Sequence, residues 1–131
     1  MKKSAFLLFL LLISFSLLTS CKDNSKEADT QVSFTSEYEQ KLKDKAKSYS
    51  EEELQSGEVS LNEFIKIHGT VLQSDSKQMK IKKGDRFILK SGTSNYQIFN
   101  EQEKPIKIGD RIIVYGEYYG FLKGTLIEKE E

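Results

Sequence analysis

The side chains that most often carry catalysis or bind metals are scarce in this chain. Cys21 is the only cysteine and His68 is the only histidine among 131 residues. A disulfide needs two cysteines, nucleophilic catalysis needs a nucleophile beside a base, and a zinc site needs several closely spaced ligands. No serine or threonine stands in a recognisable phosphate-binding or triad motif. The sequence therefore predicts no enzyme, no metal site and no cofactor, and it leaves a chemical role for Cys21.

The segment that leads to Cys21 has the three parts of a secretory signal peptide. It begins with Lys2 and Lys3, continues with an apolar run over residues 5–18 and ends with two small residues. The apolar run is shorter than the ~20 residues that a membrane-spanning helix needs. We therefore predict that residues 1–20 are a signal peptide that is removed.

Leu18-Thr19-Ser20-Cys21 resembles the lipobox of bacterial lipoproteins, in which an aliphatic residue and two small residues precede an acceptor cysteine. The resemblance implies that the Cys21 thiol is diacylated and that the leader is cleaved before it. Several acyl chains hold a protein durably on a bilayer, because each buried methylene contributes ~0.8 kcal/mol. The alternatives are an ordinary signal peptide followed by a chance cysteine and an uncleaved N-terminal helix.

A lipid anchor predicts a place in the bacterial cell envelope. Inner-membrane lipoproteins of enterobacteria have an Asp directly after the cysteine, and Lys22 does not fit that signal. The outer membrane is therefore favoured if the cell has one. Lys22-Asp23 is also a partial match to the export signal of surface-exposed Bacteroidetes lipoproteins, so surface exposure stays open.

The composition of the chain after the leader changes near Gly57. Eighteen basic residues stand against 20 acidic ones, which excludes the strong basic excess typical of nucleic-acid-binding proteins. All eight glycines lie at or after Gly57, whereas residues 22–56 are rich in Lys, Glu, Asp and Ser. We therefore predict a lipidated tether over residues 21–33, an amphipathic helix within 34–56 and one β domain over 57–131.

Apolar residues recur on one helical face after the tether. At spacings of four, four, four and three they are Phe34, Tyr38, Leu42, Ala46 and Tyr49. Ser36 with Glu39 forms a capping box, which predicts a helix from about residue 37 to 49. A second capping box, Ser50 with Glu53, either restarts or continues the helix. The apolar face is predicted to pack on the protein's own domain, with binding of a partner as the alternative.

Beyond Gly57, apolar and polar residues alternate in five short bursts. The bursts are centred on residues 65–71, 87–89, 96–98, 112–114 and 121–127. The period of two places Ile65, Ile67 and Val71 on one face of the first strand. Five short strands in ~65 residues favour a closed or partly open barrel, since a flat sheet would leave its edges and one apolar face uncovered.

One segment of this domain repeats at a spacing of 25 residues. Residues 81–89 read IKKGDRFIL and residues 106–114 read IKIGDRIIV. In each copy Gly-Asp supplies a turn, and Arg86 or Arg111 opens the following strand. The copies represent either an old duplication or one turn chemistry that is used twice.

Residues 67–71 (IHGTV) and 108–116 (IGDRIIVYG) resemble the first and fourth strands of the OB-fold. Over residues 61–128 the chain is similar to the tRNA-anticodon-like OB domains found on bacterial lipoproteins. The resemblance implies a mainly β fold: a small five-stranded OB-like barrel preceded by an amphipathic α-helix. An OB-fold usually has a helix between its third and fourth strands, but residues 101–108 are too few for one and contain Pro105. We therefore expect the preceding helix to close the end of the barrel.

The candidates for ligand binding lie on polar strand faces and at aromatic turns of the predicted barrel. They are Lys66, His68, Lys90, Arg111, Tyr115, Tyr118 and Tyr119. Aromatic rings beside cations can stack on sugars, bases or peptide side chains. The alternatives are a surface histidine that pairs across strands and tyrosines that form the rim of the barrel core.

Two functions are compatible with these features. In the first, the barrel of a lipid-anchored envelope protein is a non-catalytic binding module for a peptide, a glycan or a small ligand. In the second, a structural lipoprotein docks on another envelope protein through its helix or a strand edge. Nucleic acid is a weaker third partner, because the family resemblance suggests it and the charge does not.

Overall fold

The computed structural model describes the backbone of residues 25–131 and the side chains from Phe34 onward. The leader, the lipobox and Cys21 lie outside the described residues. The chain divides into two compact units, Met1–Phe34 and Thr35–Glu131. The second unit contains a closed barrel and two clusters of buried apolar side chains, which is the core that a domain needs to fold by itself. The change of composition at Gly57 falls inside this unit.

Two helices precede the strands: α1 spans Ser25–Lys45 and α2 spans Glu51–Ser56. The predicted start of the first helix after Ser36 is wrong, because α1 begins at Ser25, within the segment assigned to the tether. A Ser-x-x-Glu pattern caps a helix only where the preceding residues are not helical, and here they are. None of the helices in the described part of the chain is long and apolar enough to span a membrane.

The second predicted cap is confirmed at the start of α2. The Ser50 hydroxyl accepts a hydrogen bond from the Glu53 N–H at 3.2 Å, and the Glu53 carboxylate accepts one from the Ser50 N–H at 2.7 Å. These bonds satisfy N–H groups that have no partner within the helix. Between α1 and α2 the chain is extended enough for Lys47 to form a parallel bridge with Ile65. The cap therefore starts a new helix instead of continuing the first.

Seven strands follow: β1 (Phe64–Ser74), β2 (Lys80–Ile81), β3 (Arg86–Ser91), β4 (Ser94–Asn100), β5 (Ile106–Lys107), β6 (Arg111–Tyr118) and β7 (Leu122–Lys129). Five of them form a closed barrel in the order β1-β3-β4-β7-β6, with β4 and β7 parallel and the other neighbours antiparallel. The prediction of a mainly β protein with a small five-stranded barrel after a helix is confirmed. Strands β2 and β5 pair separately as a two-stranded ribbon, which was not predicted.

The inner side chains of the barrel are mostly aliphatic, with Phe87, Tyr96 and Tyr118 among them, and those of β1 follow the predicted alternation. Ile65, Ile67 and Val71 of β1 are buried, whereas His68 between them is exposed. The first half of β1, up to Thr70, pairs with β6, and its second half, from Thr70 onward, pairs with β3. Because its two halves pair with different strands, β1 joins β6 to β3 and closes the barrel.

Helix α2 covers one end of this barrel. Leu54 is buried in the same cluster as the inner strand residues, and the Tyr118 hydroxyl donates to the Leu54 carbonyl at 3.2 Å. At the start of the helix, the Glu51 carboxylate accepts hydrogen bonds from Thr93 and Ser94 in the β3–β4 turn. The helix expected over residues 37–49 is therefore not the one that closes the barrel.

Helix α1 packs on the outer wall of the barrel through its last turns. Leu42, near the end of α1, and Ala46, just after it, contact a cluster that is separate from the inner core and consists of Phe64, Tyr115 and Leu126. Lys43 forms an ion pair with Glu128 of β7, and the Glu128 carboxylate raises the pKa of the Lys43 ammonium. The predicted packing of the apolar face on the protein's own domain holds for this half of the face.

The repeated segment makes the same turn twice. Gly84 and Gly109 both have a φ of 91°, in the left-handed region that glycine adopts without strain. In both copies a carboxylate accepts a backbone N–H three residues earlier at 2.8 Å: Asp85 from Lys82 and Asp110 from Lys107. The interpretation of one turn chemistry used twice agrees with this geometry.

The two turns also dock on the barrel in the same way. The Gly84 N–H donates to the Asn100 carbonyl, and the Gly109 N–H donates to the Val71 carbonyl, both at 2.8 Å. The N–H groups of Asn100 and Val71 return bonds of 3.0 Å to the carbonyls of the turn aspartates. Each repeat is therefore fixed to a barrel strand by a reciprocal pair of backbone hydrogen bonds.

Candidate ligand-binding surfaces

Three of the predicted residues line one open groove. His68, Lys90 and Arg111 surround a volume of about 660 Å³ together with Glu130. The strand register explains the convergence, since Thr70 of β1 stands opposite Lys90 of β3 on one side and opposite Arg111 of β6 on the other. We refer to this surface as the histidine groove.

The protein's own carboxylate neutralises much of the histidine groove. Glu130 Oε1 lies 2.6 Å from His68 Nδ1, and Glu130 Oε2 lies 3.4 Å from Arg111 Nη2. The Glu130 backbone is held in place because its N–H donates to the Arg111 carbonyl at 2.9 Å. His68 thus pairs with a carboxylate just beyond the end of β7, and Lys90 is the groove's cation without an ion pair among the described residues.

Lys66 lies beside this groove and does not line it. It borders a smaller cavity of about 150 Å³ between β1 and the start of α2, where His68, Tyr49 and Glu51 also lie. The cavity is next to the residues that close the barrel end. Lys66 is therefore in position to contact a ligand bound near His68, and it lies apart from Arg111.

Two of the candidate tyrosines are buried and belong to the packing of the fold. Tyr115 lies under α1, where its hydroxyl is 3.3 Å from a Glu128 carboxylate oxygen, and burial together with that carboxylate raises the pKa of the Tyr115 phenol. Tyr118 is part of the inner core and donates to Leu54. Neither ring is presented to solvent, because α1 packs over Tyr115 and α2 packs over Tyr118.

Tyr119 lies near a second surface. Its hydroxyl donates to Glu117 at 2.8 Å, and its ring centroid is 5.9 Å from that of Phe121 at a tilted angle. The hydrogen bond from Tyr119 to Glu117 raises the pKa of the Tyr119 phenol. Phe121 itself is 41% exposed and forms one wall of a groove that the sequence did not predict.

This aromatic groove lies on the outer face of β3, β4 and β7. Its volume is about 440 Å³, and its lining consists of Arg86, Gln97, Phe99, Phe121 and Lys123. Phe99 of β4 stands directly opposite Arg86 of β3 and opposite Lys123 of β7. The phenyl ring therefore lies between two cations, and Phe121 extends the apolar surface.

The two cations of the aromatic groove differ in their partners. Lys123 Nζ lies 3.3 Å from Glu101 Oε1, and this hydrogen-bonded carboxylate raises the pKa of the Lys123 ammonium. The Arg86 guanidinium has no carboxylate partner in the described part of the chain. A second groove of about 270 Å³ shares Arg86 and Gln97 and extends the surface toward Ser74. The result is an elongated surface with an apolar centre and a guanidinium without an ion pair, and the Asp75 carboxylate at its far end accepts the Arg86 backbone N–H at 2.8 Å.

A signal for the aromatic groove was present in the sequence of β4. Tyr96 and Ile98 are buried, so the alternation places Gln97 and Phe99 on the outer face. Phe99 is a large aromatic side chain at an outward-facing position of a strand, and such a residue indicates a candidate binding surface. The contribution of Arg86 and Phe121 depends on strand order and was not visible in the local pattern.

The described residues hold no group of three His, Cys, Asp or Glu side chains that could bind a metal ion. The two grooves instead offer aromatic faces, guanidinium and ammonium donors, and the amide of Gln97. Such groups can stack on flat or apolar parts of a ligand and form hydrogen bonds with its anionic parts.

No protein-family model matches this chain, and no curated protein is similar enough to it to count as a relative. Function is therefore inferred from the residues and grooves described above.

Proposed function

We propose that this protein is a lipid-anchored component of the bacterial cell envelope whose barrel is a non-catalytic binding module for a peptide, a glycan or a small ligand. The observation that carries the proposal is the aromatic groove, in which Phe99 lies between Arg86 and Lys123. The order of the strands and the parallel pair β4–β7 support membership of the barrel in the OB family.

The chemistry of the aromatic groove indicates the kind of ligand. Phe99 and Phe121 offer apolar surface, and Arg86 offers a planar set of donors that fits a carboxylate or phosphate in bidentate fashion. A ligand with both an apolar group and an anionic group uses both features. Peptides with acidic residues and acidic glycans have this combination, and both occur in cell envelopes.

The binding half of the proposal is tested with the unit Thr35–Glu131 on peptide and glycan arrays, followed by titration of each hit. Phe99→Ala and Arg86→Gln are each expected to weaken binding about ten-fold or more, because an aromatic stacking contact or a charged hydrogen bond contributes about 1–3 kcal/mol. Lys90→Gln in the histidine groove is the matched control and is expected to leave affinity unchanged. A hit that is lost with Lys90→Gln and unaffected by Phe99→Ala contradicts the assignment of this groove.

The anchor half of the proposal is supported by the lipobox and is tested separately. In cells that process lipoproteins, the wild-type protein is expected in the membrane fraction, with the outer membrane favoured in a Gram-negative host. Cys21→Ser is expected to give an unprocessed or soluble protein whose barrel still folds. If this variant is still acylated and bound to the membrane, the anchor assignment fails. Protease treatment of whole cells decides whether the barrel is exposed on the surface.

Docking on another envelope protein is the second candidate function, and the exposed part of α1 favours it. Tyr38 is 51% exposed and Phe34 is 71% exposed, although both belong to the apolar face of the helix. A stoichiometric protein captured from envelope extract by the wild-type chain and lost with Tyr38→Glu supports docking. Gln40→Glu, an exposed change on the same helix, is the control. Capture that is unchanged by Tyr38→Glu contradicts this alternative.

A further inference from the structure

The β2–β5 ribbon is far more basic than the chain as a whole. Residues 77–83 and 104–108 contain no Asp or Glu, although the full chain has equal numbers of basic and acidic residues. The exposed lysines of the ribbon and its flanks are Lys77, Lys80, Lys82, Lys83, Lys104 and Lys107. Because β2 and β5 pair, two stretches that are distant in sequence combine their charge on one surface.

Most of this charge has no partner within the described residues. Lys83 forms an ion pair with Glu103 at 2.5 Å, and it is the one ribbon lysine that has an ion pair there. The nearby Asp85 and Asp110 accept backbone N–H groups of the turns, and Asp110 also pairs with Lys129 at 2.9 Å. Neither carboxylate forms an ion pair with a ribbon lysine, although the Asp110 charge interacts with Lys107, so the six lysines keep a clear positive excess.

Two exposed apolar side chains stand at the end of the ribbon. Met79 directly precedes Lys80 and is 71% exposed, and Ile108 directly follows Lys107 and is 39% exposed. Lys80 and Lys107 are paired across the strands, so Met79 and Ile108 occupy the next opposed positions. The tip of the ribbon thus combines apolar side chains with lysines on either side of them.

We propose that the tip of the β2–β5 ribbon is a membrane-contact surface that binds anionic lipid. Met79 and Ile108 enter the boundary between headgroups and acyl chains, and the lysine ammoniums contact lipid phosphates. Lysine side chains suit this position, since their aliphatic stems tolerate apolar surroundings while the ammonium reaches the polar layer. Each lysine near an anionic bilayer strengthens the attraction, and the effect accumulates over several lysines.

The apolar tip is what distinguishes a bilayer from other anionic partners. A soluble polyanion, such as an acidic polypeptide or a single-stranded nucleic acid, uses the lysines and gains little from Met79. An anionic bilayer uses both the lysines and the apolar tip. The ribbon surface includes neither Cys21 nor the aromatic groove. It therefore brings the barrel to a membrane whether or not the chain is acylated.

The test uses the unit Thr35–Glu131, which lacks the lipidation site, and sedimentation with vesicles. Vesicles of phosphatidylcholine with about 30% phosphatidylglycerol are expected to bind it at least about ten-fold more tightly than pure phosphatidylcholine, and salt is expected to weaken the binding. The triple variant Lys77→Gln, Lys80→Gln, Lys82→Gln is expected to lose about ten-fold or more in affinity. The triple variant Lys41→Gln, Lys66→Gln, Lys90→Gln changes net charge equally and is expected to bind like the wild type.

Met79→Ser separates a bilayer from a soluble polyanion. It is expected to weaken binding to the anionic vesicles by about three-fold or more, while binding of polyglutamate or of a single-stranded oligonucleotide stays the same. Circular dichroism confirms that each variant is folded. Equal binding to both vesicle types, or equal losses in the two triple variants, overturns the proposal. Vesicle binding that Met79→Ser leaves unchanged also overturns it, and the ribbon is then a site for soluble polyanions.

Discussion

Ile81 and Ile106 occupy the same position in the two copies of the repeated segment, and they lie directly opposite each other in the β2–β5 ribbon. Both side chains are buried in the inner core. The turns that follow lead the two segments away from each other, so that Arg86 lines the aromatic groove and Arg111 lines the histidine groove. One repeated sequence therefore contributes to the core at its start and to two different surfaces at its end.

Truncation of this isoleucine pair is expected to destabilise the barrel. Ile81→Ala and Ile106→Ala should each lower the free energy of unfolding by about 2–5 kcal/mol, because each leaves a cavity in a packed core. The double variant should lose less than the sum of the two, since neighbouring truncations share one cavity. Urea denaturation measures all three, with the exposed Met79→Ala as the control. Strict additivity contradicts the contact between the two side chains.

The two turn glycines should be equally sensitive to substitution. Gly84→Ala and Gly109→Ala are each expected to lower the free energy of unfolding by about 1–2 kcal/mol, because a left-handed backbone is strained for a residue with a Cβ atom. An added Cβ meets no atom within 4 Å at either position, so strain in the backbone and not a clash is the cause. Substitution by Asn, which tolerates this conformation, should cost less. Equal losses for Ala and Asn in urea denaturation contradict this account.

Gly116 is required for a different reason, the close approach of β6 and β7. A Cβ atom at this position would lie 1.9 Å from the Lys123 carbonyl oxygen, which belongs to the backbone of the neighbouring strand. Gly116→Ala is expected to lower the free energy of unfolding by about 3 kcal/mol, the upper end of overpacking effects. Gly124→Ala is the matched control, because its nearest neighbour is a Val114 methyl group at 3.0 Å. A larger loss for Gly124→Ala than for Gly116→Ala would falsify this prediction.

Glu51 should make the closure of the barrel end sensitive to acid. Hydrogen bonds from Ser94 and then from Thr93 lower the pKa of the Glu51 carboxyl in the folded protein. The carboxylate therefore adds stability above its unfolded pKa, about 4.3, and this contribution is lost as the pH falls through the lower folded pKa.

Thermal unfolding between about pH 7 and pH 3, a range that includes the unfolded pKa of a glutamate, measures the contribution of Glu51 to stability. The Tm difference between the wild type and Glu51→Gln should be constant at neutral pH and should shrink in acid. Glu52→Gln, in the same helical turn, is the matched control. A Tm difference that grows toward low pH contradicts the role of the Ser94 and Thr93 hydrogen bonds.

The candidate site was only partly predictable, because strand register and helix placement decide what is exposed. His68, Lys90 and Arg111 come together as polar residues of three adjacent strands, but Glu130 takes two of them as partners. Tyr115 and Tyr118 are covered because α1 packs on the outer wall and α2 closes the barrel end, whereas the first helix was predicted to close that end. The aromatic groove was missed because Arg86, Phe99 and Phe121 are far apart in sequence and meet only when β3, β4 and β7 are neighbours.

Local patterns in the sequence determined the character of the strands, the cap at Ser50 and the twin Gly-Asp turns, because backbone preferences and hydrogen bonds over three residues depend on near neighbours. The helix that closes the barrel, the pairing of β2 with β5 and both grooves were decided by tertiary structure. These features depend on contacts between residues that are distant in sequence, and burial against such partners outweighs local preference. The lysines of the ribbon show the difference most clearly: each was visible in the sequence, but only the pairing of Lys80 with Lys107 brings the two basic stretches together.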